Sequence, residues 1–160
     1  LRAALVEGDP PLRPRALDLY CGTGTIGLCL APACDAVVGV ELSAEAVDNA
    51  RRNALQNQID NATFYAGDAG KILENELIGI RGRFDLVVVD PPRAGLSPQA
   101  LQHIGHIDMA RLVYVSCNPE SLARDLLALR RRGLEARYVQ PVDMFPHTGH
   151  IENVALLQRT

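Results

Sequence analysis

The sequence predicts an α/β protein with a seven-stranded, mostly parallel sheet and helices on both faces. Short β-rich apolar runs alternate with helical patterns along the chain, as βαβ crossovers require. The 160 residues match the size of one ordinary domain. Hydrophobic residues make up 48% and charged residues 22%, which is typical of a globular chain. We therefore expect a single domain over residues 1–160 with one core.

Seven short apolar runs are predicted to form the sheet. They cover residues 16–20, 36–41, 62–65, 84–90, 112–116, 135–140 and 153–158. The helical pattern between them is clearest over residues 43–56, where Ser43 can cap the helix and Val47, Ala50 and Ala54 recur on one face.

A second helix is predicted over residues 119–132. Asn118 is placed to be its N-cap, Pro119 occupies the first helical position and Gly133 follows as a stop signal. The opening residues 1–5 resemble the end of an amphipathic helix, and the first residue is Leu1 instead of Met. We expect a fragment of a longer protein.

Composition excludes several classes of protein. No apolar run reaches the roughly 18 residues that a membrane span needs. A net charge of −3 gives no overall electrostatic signature of a nucleic-acid binder. The four cysteines form no CxxC pair, and no secretory signal is apparent, so we expect a reducing, cytoplasmic environment without disulfides.

A glycine-rich loop follows the first predicted strand. Gly22, Gly24 and Gly27 form a GxGxxG pattern between a strand and a helix. Glu41 lies roughly 20 residues further on, at the end of the second strand, where a carboxylate can accept hydrogen bonds from ribose hydroxyls. The pattern predicts a nucleoside cofactor, and both NAD and S-adenosylmethionine satisfy it.

Two aspartates follow later strands. Asp68 comes after the third strand, where it could meet an adenine amino group or simply cap a helix. Asp90 closes the fourth strand and precedes the letters PPR. Because open α/β sheets bind ligands at the carboxyl ends of their strands, we expect both side chains near the ligand.

Cys117 stands just after the fifth strand and just before the helix that Asn118 caps. A helix N-terminus favours a thiolate over a thiol, and the thiolate is the nucleophilic form. This position makes Cys117 a candidate nucleophile. Cys21, Cys29 and Cys34 lack such a position and are expected to be structural.

Two histidines and a carboxylate cluster near the last strand, at His147, His150 and Glu152. These residue types could ligate zinc, but neither an HExxH helix nor a second ligand cluster accompanies them. We therefore expect no metal.

Five segments together resemble the catalytic domain of the RNA uracil-C5 methyltransferases. In order they are DLYCGTGTIGL, VGVELS, DPPRAGL, VSCNP and HTGHIE. The similarity runs over roughly residues 15 to 158. It implies a Rossmann-like methyltransferase fold, S-adenosylmethionine as the cofactor and RNA, ribosomal or transfer, as the partner. It further implies that the cofactor contacts Tyr20, Gly22, Gly24, Thr25, Glu41, Asp68 and Asp90.

The resemblance also implies a mechanism. Cys117 adds to C6 of uracil and generates an enolate, whose C5 carbon attacks the sulfonium methyl. Glu152 then removes the C5 proton, so that Cys117 is eliminated. The target base must leave its stack to reach both groups.

The sequence departs from this family in several places. The N-terminal OB-like domain, an inserted domain and an upstream glutamine are not found in these residues, and Thr25 stands where relatives often have asparagine. RNA affinity would then reside largely elsewhere, and we expect a monomeric full-length enzyme.

Other classes of protein remain as alternatives. Amino-methylating enzymes present an aromatic where Arg93 stands, and cytosine-C5 enzymes often have a cysteine in the same loop. An NAD-dependent dehydrogenase would leave VSCNP and HTGHIE unused. A non-catalytic nucleotide- or RNA-binding module on the same fold is the remaining alternative.

Overall fold

The computed structural model describes residues 13–74 and 83–160 and contains the predicted seven-stranded sheet. Its strands are β1 (Arg15–Leu19), β2 (Ala36–Glu41), β3 (Ala62–Ala66), β4 (Phe84–Val89), β5 (Met109–Ser116), β6 (Leu134–Val142) and β7 (Glu152–Arg159). Its helices are α1 (Thr25–Leu30), α2 (Ala44–Gln56), α3 (Ala69–Glu74), α4 (Pro98–His106) and α5 (Pro119–Arg130), with a 3₁₀ turn at Ala31–Ala33.

The strands lie in the order β3-β2-β1-β4-β5-β7-β6. Strands β1 to β5 pair in parallel, whereas β7 pairs antiparallel with both β5 and β6. This confirms the α/β class and the mostly parallel sheet. The order reverses between β1 and β4, and ligands of open α/β sheets bind at such a switch point, beyond the carboxyl ends of the strands.

The two helices that the sequence predicts most clearly begin at the expected caps. The Ser43 hydroxyl accepts a hydrogen bond from the Ala46 amide at 3.2 Å, and the Asn118 side chain accepts one from the Glu120 amide at 3.1 Å. Helix α5 ends at Arg130, two residues earlier than predicted, and the chain then turns at Gly133, whose φ is 79°. Such a φ favours glycine.

The core occupies both faces of the sheet because successive strand residues point to opposite sides. On one face Leu17, Val87 and Tyr114 pack with residues of α3, α4 and α5. On the other face Ala16 and Leu86 belong to a cluster that includes Leu30 of α1, and α2 packs beside it on Phe64 of β3. The helices therefore cover both faces and leave the ends of the strands for a site.

The suggested helix end at residues 1–5 lies outside the described residues. Within residues 13–74 and 83–160, no helix is both long enough and apolar enough to cross a membrane.

Candidate active site

The carboxyl ends of β1 and β2 bring the glycine loop against Glu41, as the sequence predicts. The two oxygens of the Glu41 carboxylate accept hydrogen bonds from the Gly22 amide at 3.1 Å and the Ser43 amide at 2.9 Å. These two backbone amides hold the carboxylate at the rim of the loop. Its interaction with a ribose stays a prediction.

Gly24 has a structural reason to be glycine. It precedes α1 with a φ of 82°, which L side chains rarely adopt. A Cβ there would also lie 2.9 Å from the Phe64 ring and 3.1 Å from the Ala50 Cβ. The loop can therefore approach α2 and β3 only because this residue has no side chain.

Tyr20, Thr25 and Asp68 lie at the same edge of the sheet. Tyr20 follows β1 with a φ of 63°, and burial raises the pKa of its hydroxyl, as does the charge of Asp68. The exposed Thr25 begins α1. One oxygen of Asp68 accepts a hydrogen bond from the Lys71 amide at 3.0 Å, so this carboxylate does cap a helix. A contact between Asp68 and a ligand stays a prediction.

Asp18 lies under the glycine loop and was given no role by the sequence. It is 1% exposed, and its Oδ2 accepts a hydrogen bond from the Gly27 amide at 2.8 Å. Its Oδ1 has no hydrogen-bond partner within the described part of the chain. Burial raises the pKa of Asp18 to about 7; the Gly27 bond opposes this rise and the charge of Asp90 adds to it. A large share of Asp18 is therefore protonated near neutral pH.

Asp90 follows β4, where the sequence placed it. Solvent reaches this side chain, yet desolvation raises the pKa of its carboxyl, and the charge of Glu152 raises it further. The charge of Asp90 therefore interacts with the charges of both Asp18 and Glu152.

Cys117 and Glu152 lie at the same end of the sheet because β7 runs antiparallel to β5. Ser116 pairs with Asn153 at the end of that ladder, so the next position places Cys117 opposite Glu152. Both line a cavity of about 210 Å³, together with Arg93, Phe145 and His150. The structure thus brings the two predicted catalytic residues to one cavity.

Cys21, beside the glycine loop, is more buried than Cys117. Cys21 is buried, and burial raises the pKa of its thiol to about 12, with further increases from the charges of Asp18 and Glu41. A thiol so rarely ionised is a poor nucleophile. Cys117 is half-buried and adjoins the N-terminus of α5, as predicted.

Hydrogen bonds fix the loop that carries Cys117. The Ser116 hydroxyl accepts a hydrogen bond from the Asn118 amide at 3.1 Å and donates one to the Asn118 carbonyl at 2.9 Å. The Asn118 side chain donates to the Arg93 carbonyl at 3.0 Å. The residues on both sides of Cys117 are therefore held, and the loop after β4 is tied to the loop after β5.

A fully buried carboxylate, Asp125 on α5, connects this helix to β5 and to the loop after β4. Its oxygens accept hydrogen bonds from the Leu96 amide at 2.7 Å, the Tyr114 hydroxyl at 2.6 Å and the Arg124 guanidinium at 2.7 and 2.9 Å. Gly95, with a φ of 79°, packs so closely that a Cβ would lie 2.5 Å from Asp125. Asp125 was not among the residues predicted from sequence, although its position on the buried stripe of α5 between Leu122 and Leu129 was a signal.

The two histidines near the last strand differ in their positions. His147 adopts a φ of 68° in the turn before β7, whereas His150 lines the Cys117 cavity. Among the residues that the structure describes, no group of three or more His, Cys, Asp or Glu side chains could hold a metal ion.

The residues near β1 and β2 fit a nucleoside cofactor. Glu41 offers a carboxylate that two backbone amides fix at the rim of the glycine loop. The hydroxyl and amino groups of a nucleoside could donate hydrogen bonds to the oxygens of such a carboxylate.

The fold by itself is shared with solved structures that are only distantly similar in sequence. A TehB-like S-adenosylmethionine-dependent methyltransferase from Corynebacterium glutamicum superposes with a TM-score of 0.71 at 24% identity, over 99% of this chain and 86% of that one. The chain thus has the fold of the S-adenosylmethionine-dependent methyltransferases.

The chain belongs to the tRNA (uracil-5-)-methyltransferase family, whose sequence profile matches residues 12–160. The tRNA (uracil-54, C5)-methyltransferase of Pyrococcus abyssi, solved in complex with S-adenosyl-L-homocysteine, shares 39% identity and a TM-score of 0.79, over 98% of this chain and 36% of that one.

Bacterial relatives are more similar in sequence. An RNA methyltransferase of Caldanaerobacter subterraneus subsp. tengcongensis is 49% identical and one of Enterococcus faecalis is 50% identical, each over 143 residues and 89% of this chain. The chain spans 31% of the length of each of these two relatives.

Proposed function

We propose that this chain is the catalytic part of an enzyme that transfers a methyl group from S-adenosylmethionine to C5 of a uridine in RNA. The observation that carries the proposal is the cavity that Cys117 and Glu152 share. Membership of the uracil-5 methyltransferase family supports it. The RNA is transfer or ribosomal RNA in the cytoplasm, and the full-length enzyme is a monomer.

When bound, S-adenosylmethionine would supply the methyl group as an electrophile, and the bond from its sulfur to the methyl group would break to leave S-adenosylhomocysteine. The residues that would hold this cofactor are Tyr20, Gly22, Gly24, Thr25, Glu41, Asp68 and Asp90. Glu41 is suited to the ribose because two backbone amides already fix its carboxylate. Asp90 is suited to the reacting end because it follows β4 at the carboxyl edge of the sheet, where the charge of Glu152 acts on its carboxyl.

In the proposed mechanism the Cys117 thiolate forms a bond to C6 of uracil and pushes the electrons of the C5–C6 double bond toward C5 and the O4 oxygen. Arg93, in the same cavity, stabilises the negative charge that develops on uracil. After C5 has gained the methyl group, Glu152 takes the remaining C5 proton. The electron pair of that C–H bond restores the double bond, and Cys117 leaves as thiolate.

Two substitutions test these roles in the full-length protein, with RNA from cells that lack the gene as the substrate. Cys117→Ala should make neither 5-methyluridine nor a protein–RNA adduct. Glu152→Gln should accumulate a methylated adduct, because the C5 proton stays and Cys117 cannot leave. Denaturing electrophoresis detects the adduct, and mass spectrometry locates it.

The chain offers matched controls. Cys29→Ala removes an exposed cysteine, and Glu45→Gln neutralises an exposed glutamate in the first turn of α2. Both should retain wild-type turnover. Formation of 5-methyluridine by Cys117→Ala, or normal turnover by Glu152→Gln, would contradict the assigned roles.

A further inference from the structure

Phe145 differs from the other phenylalanines of this chain. Phe64 and Phe84 are 2% and 1% exposed, whereas Phe145 is 49% exposed. Phe145 lines the Cys117 cavity together with Arg93, His150 and Glu152. A large aromatic ring left open at the rim of a cavity is a surface suited to a planar, apolar partner.

A turn fixes the backbone at Phe145. The Phe145 carbonyl accepts hydrogen bonds from the Thr148 hydroxyl at 2.7 Å and the Thr148 amide at 3.2 Å, and the same hydroxyl accepts one from the His150 amide at 3.2 Å. Within this turn His147 adopts its φ of 68°. The turn therefore holds the position of Phe145 relative to His150 and to Glu152 at the start of β7.

The chemistry proposed above requires the plane of the uracil ring to be held in one orientation. A thiolate reaches C6 from one face of the uracil ring, so the ring must not tilt or rotate while the bond forms. Proteins hold unstacked bases by stacking aromatic side chains on them. The cavity of about 210 Å³ that Cys117 lines is also lined by two residues with aromatic rings, Phe145 and His150, of which Phe145 offers the larger apolar face.

We propose that Phe145 stacks on one face of the target pyrimidine, leaves the other face to Cys117 and thereby positions C6 for attack. This inference rests on the proposed function, since it names the residue that recognises the substrate base at the same site.

The test uses the full-length protein with RNA from cells lacking the gene, and it measures the single-turnover rate of 5-methyluridine formation against RNA concentration. Phe145→Ala should lower the rate at subsaturating RNA by about 5- to 150-fold, the range that loss of one base–aromatic stack gives. Phe145→Tyr and Phe145→Trp should stay close to wild type, because they keep an aromatic face.

Two further variants separate stacking from other roles. Phe145→Leu keeps apolar volume without a ring and should resemble Phe145→Ala. Met144→Ala removes a neighbouring side chain that is 62% exposed and does not line the cavity, and it should behave as wild type. The affinity for S-adenosylhomocysteine, measured by calorimetry, should be unchanged in every variant.

The outcomes distinguish this inference from the proposed function. If wild-type protein makes no 5-methyluridine, the proposed function fails. If wild type is active and Phe145→Ala equals it, the stacking inference is overturned. It is also overturned if Phe145→Leu restores activity, or if Phe145→Ala lowers the melting temperature, since the ring would then pack against another part of the polypeptide.

Discussion

Asp18 has an electrostatic environment that makes stability depend on pH. Burial raises its pKa from an ordinary value of 3.8 to about 7 in the folded protein. Between these two values the unfolded chain has released the proton while the folded chain still binds it. The stability that this group contributes is therefore fully present below about pH 4 and is lost as the pH rises to about 7. Within that window the loss approaches about 1.4 kcal/mol for each pH unit.

Replacing Asp18 by Asn should remove this contribution. We expect the free energy of unfolding of Asp18→Asn to fall less between pH 4 and pH 7 than that of wild type, because Asn does not ionise. Urea denaturation at several pH values measures the difference. Asp60→Asn, at an exposed position, is the control and should keep the wild-type slope. Equal slopes for wild type and Asp18→Asn would contradict the pKa assigned to Asp18.

Asp125 connects helix α5 to the loop after β4 by accepting a hydrogen bond from the Leu96 amide. Burial and the hydrogen bond to Asp125 raise the pKa of Tyr114, so this tyrosine remains a donor. Asp125→Ala would leave the Tyr114 hydroxyl and the Leu96 amide without an acceptor. We expect a loss of about 2–4 kcal/mol in unfolding free energy, since two donors in a buried region lose their partner.

An exposed ion pair provides the comparison for Asp125. Asp48 pairs with Arg51 at 3.1 Å on α2, with both side chains more than half exposed. Asp48→Ala should cost about 0–1 kcal/mol, because surface pairs contribute little. Chemical denaturation of both variants measures the contrast. Similar losses for the two would show that Asp125 is not the connection that the hydrogen bonds suggest.

Local patterns predict the parts of this site that lie close together in the sequence. The glycine loop and the cap before Cys117 are visible as a strand, a loop and a helix in succession. The bonds from Leu96 and Tyr114 to Asp125 join residues 29 and 11 positions apart, and no periodicity shows which buried donors will meet. The free oxygen of Asp18 is also invisible in sequence, because it depends on what packs around it.

The antiparallel insertion of β7 between β5 and β6 is likewise a feature that could not be predicted from the sequence. Strand-like patterns give the number of strands and their approximate bounds. They do not state which neighbour a strand pairs with, since that depends on the path of the connecting chain. Cys117 was a candidate from its own position before a helix, whereas Glu152 as a base and its joint action with Cys117 came only from the family resemblance. The register of β7 on β5 brings the ends of these strands together, and both residues line one cavity.

The charge of the whole chain bears on its binding to RNA. With a net charge of −3, it lacks the excess of cations that neutralises phosphates. We propose that regions beyond these residues supply most of the RNA affinity, since the chain covers 31% of the length of relatives that it matches. The isolated chain should therefore methylate RNA poorly and bind it with little dependence on salt.

A comparison of the chain with the full-length protein tests this expectation. Methyl transfer and RNA affinity are measured for both at matched salt concentrations between about 50 and 200 mM, where phosphate contacts change affinity strongly. The full-length protein should be more active and more sensitive to salt. Equal activity would mean that recognition of the target lies within these 160 residues.

The position of β7 determines when, during synthesis, the proposed catalytic pair of Cys117 and Glu152 can form. The ribosome makes β5, α5 and β6 before β7, yet β7 lies between β5 and β6 in the finished sheet. A nascent chain that stops short of β7 contains Cys117 but neither Glu152 nor the strand that pairs with β5. The proposed nucleophile and base therefore come together only after β7 has been translated and has entered the sheet, so a partly made protein lacks one half of the proposed site.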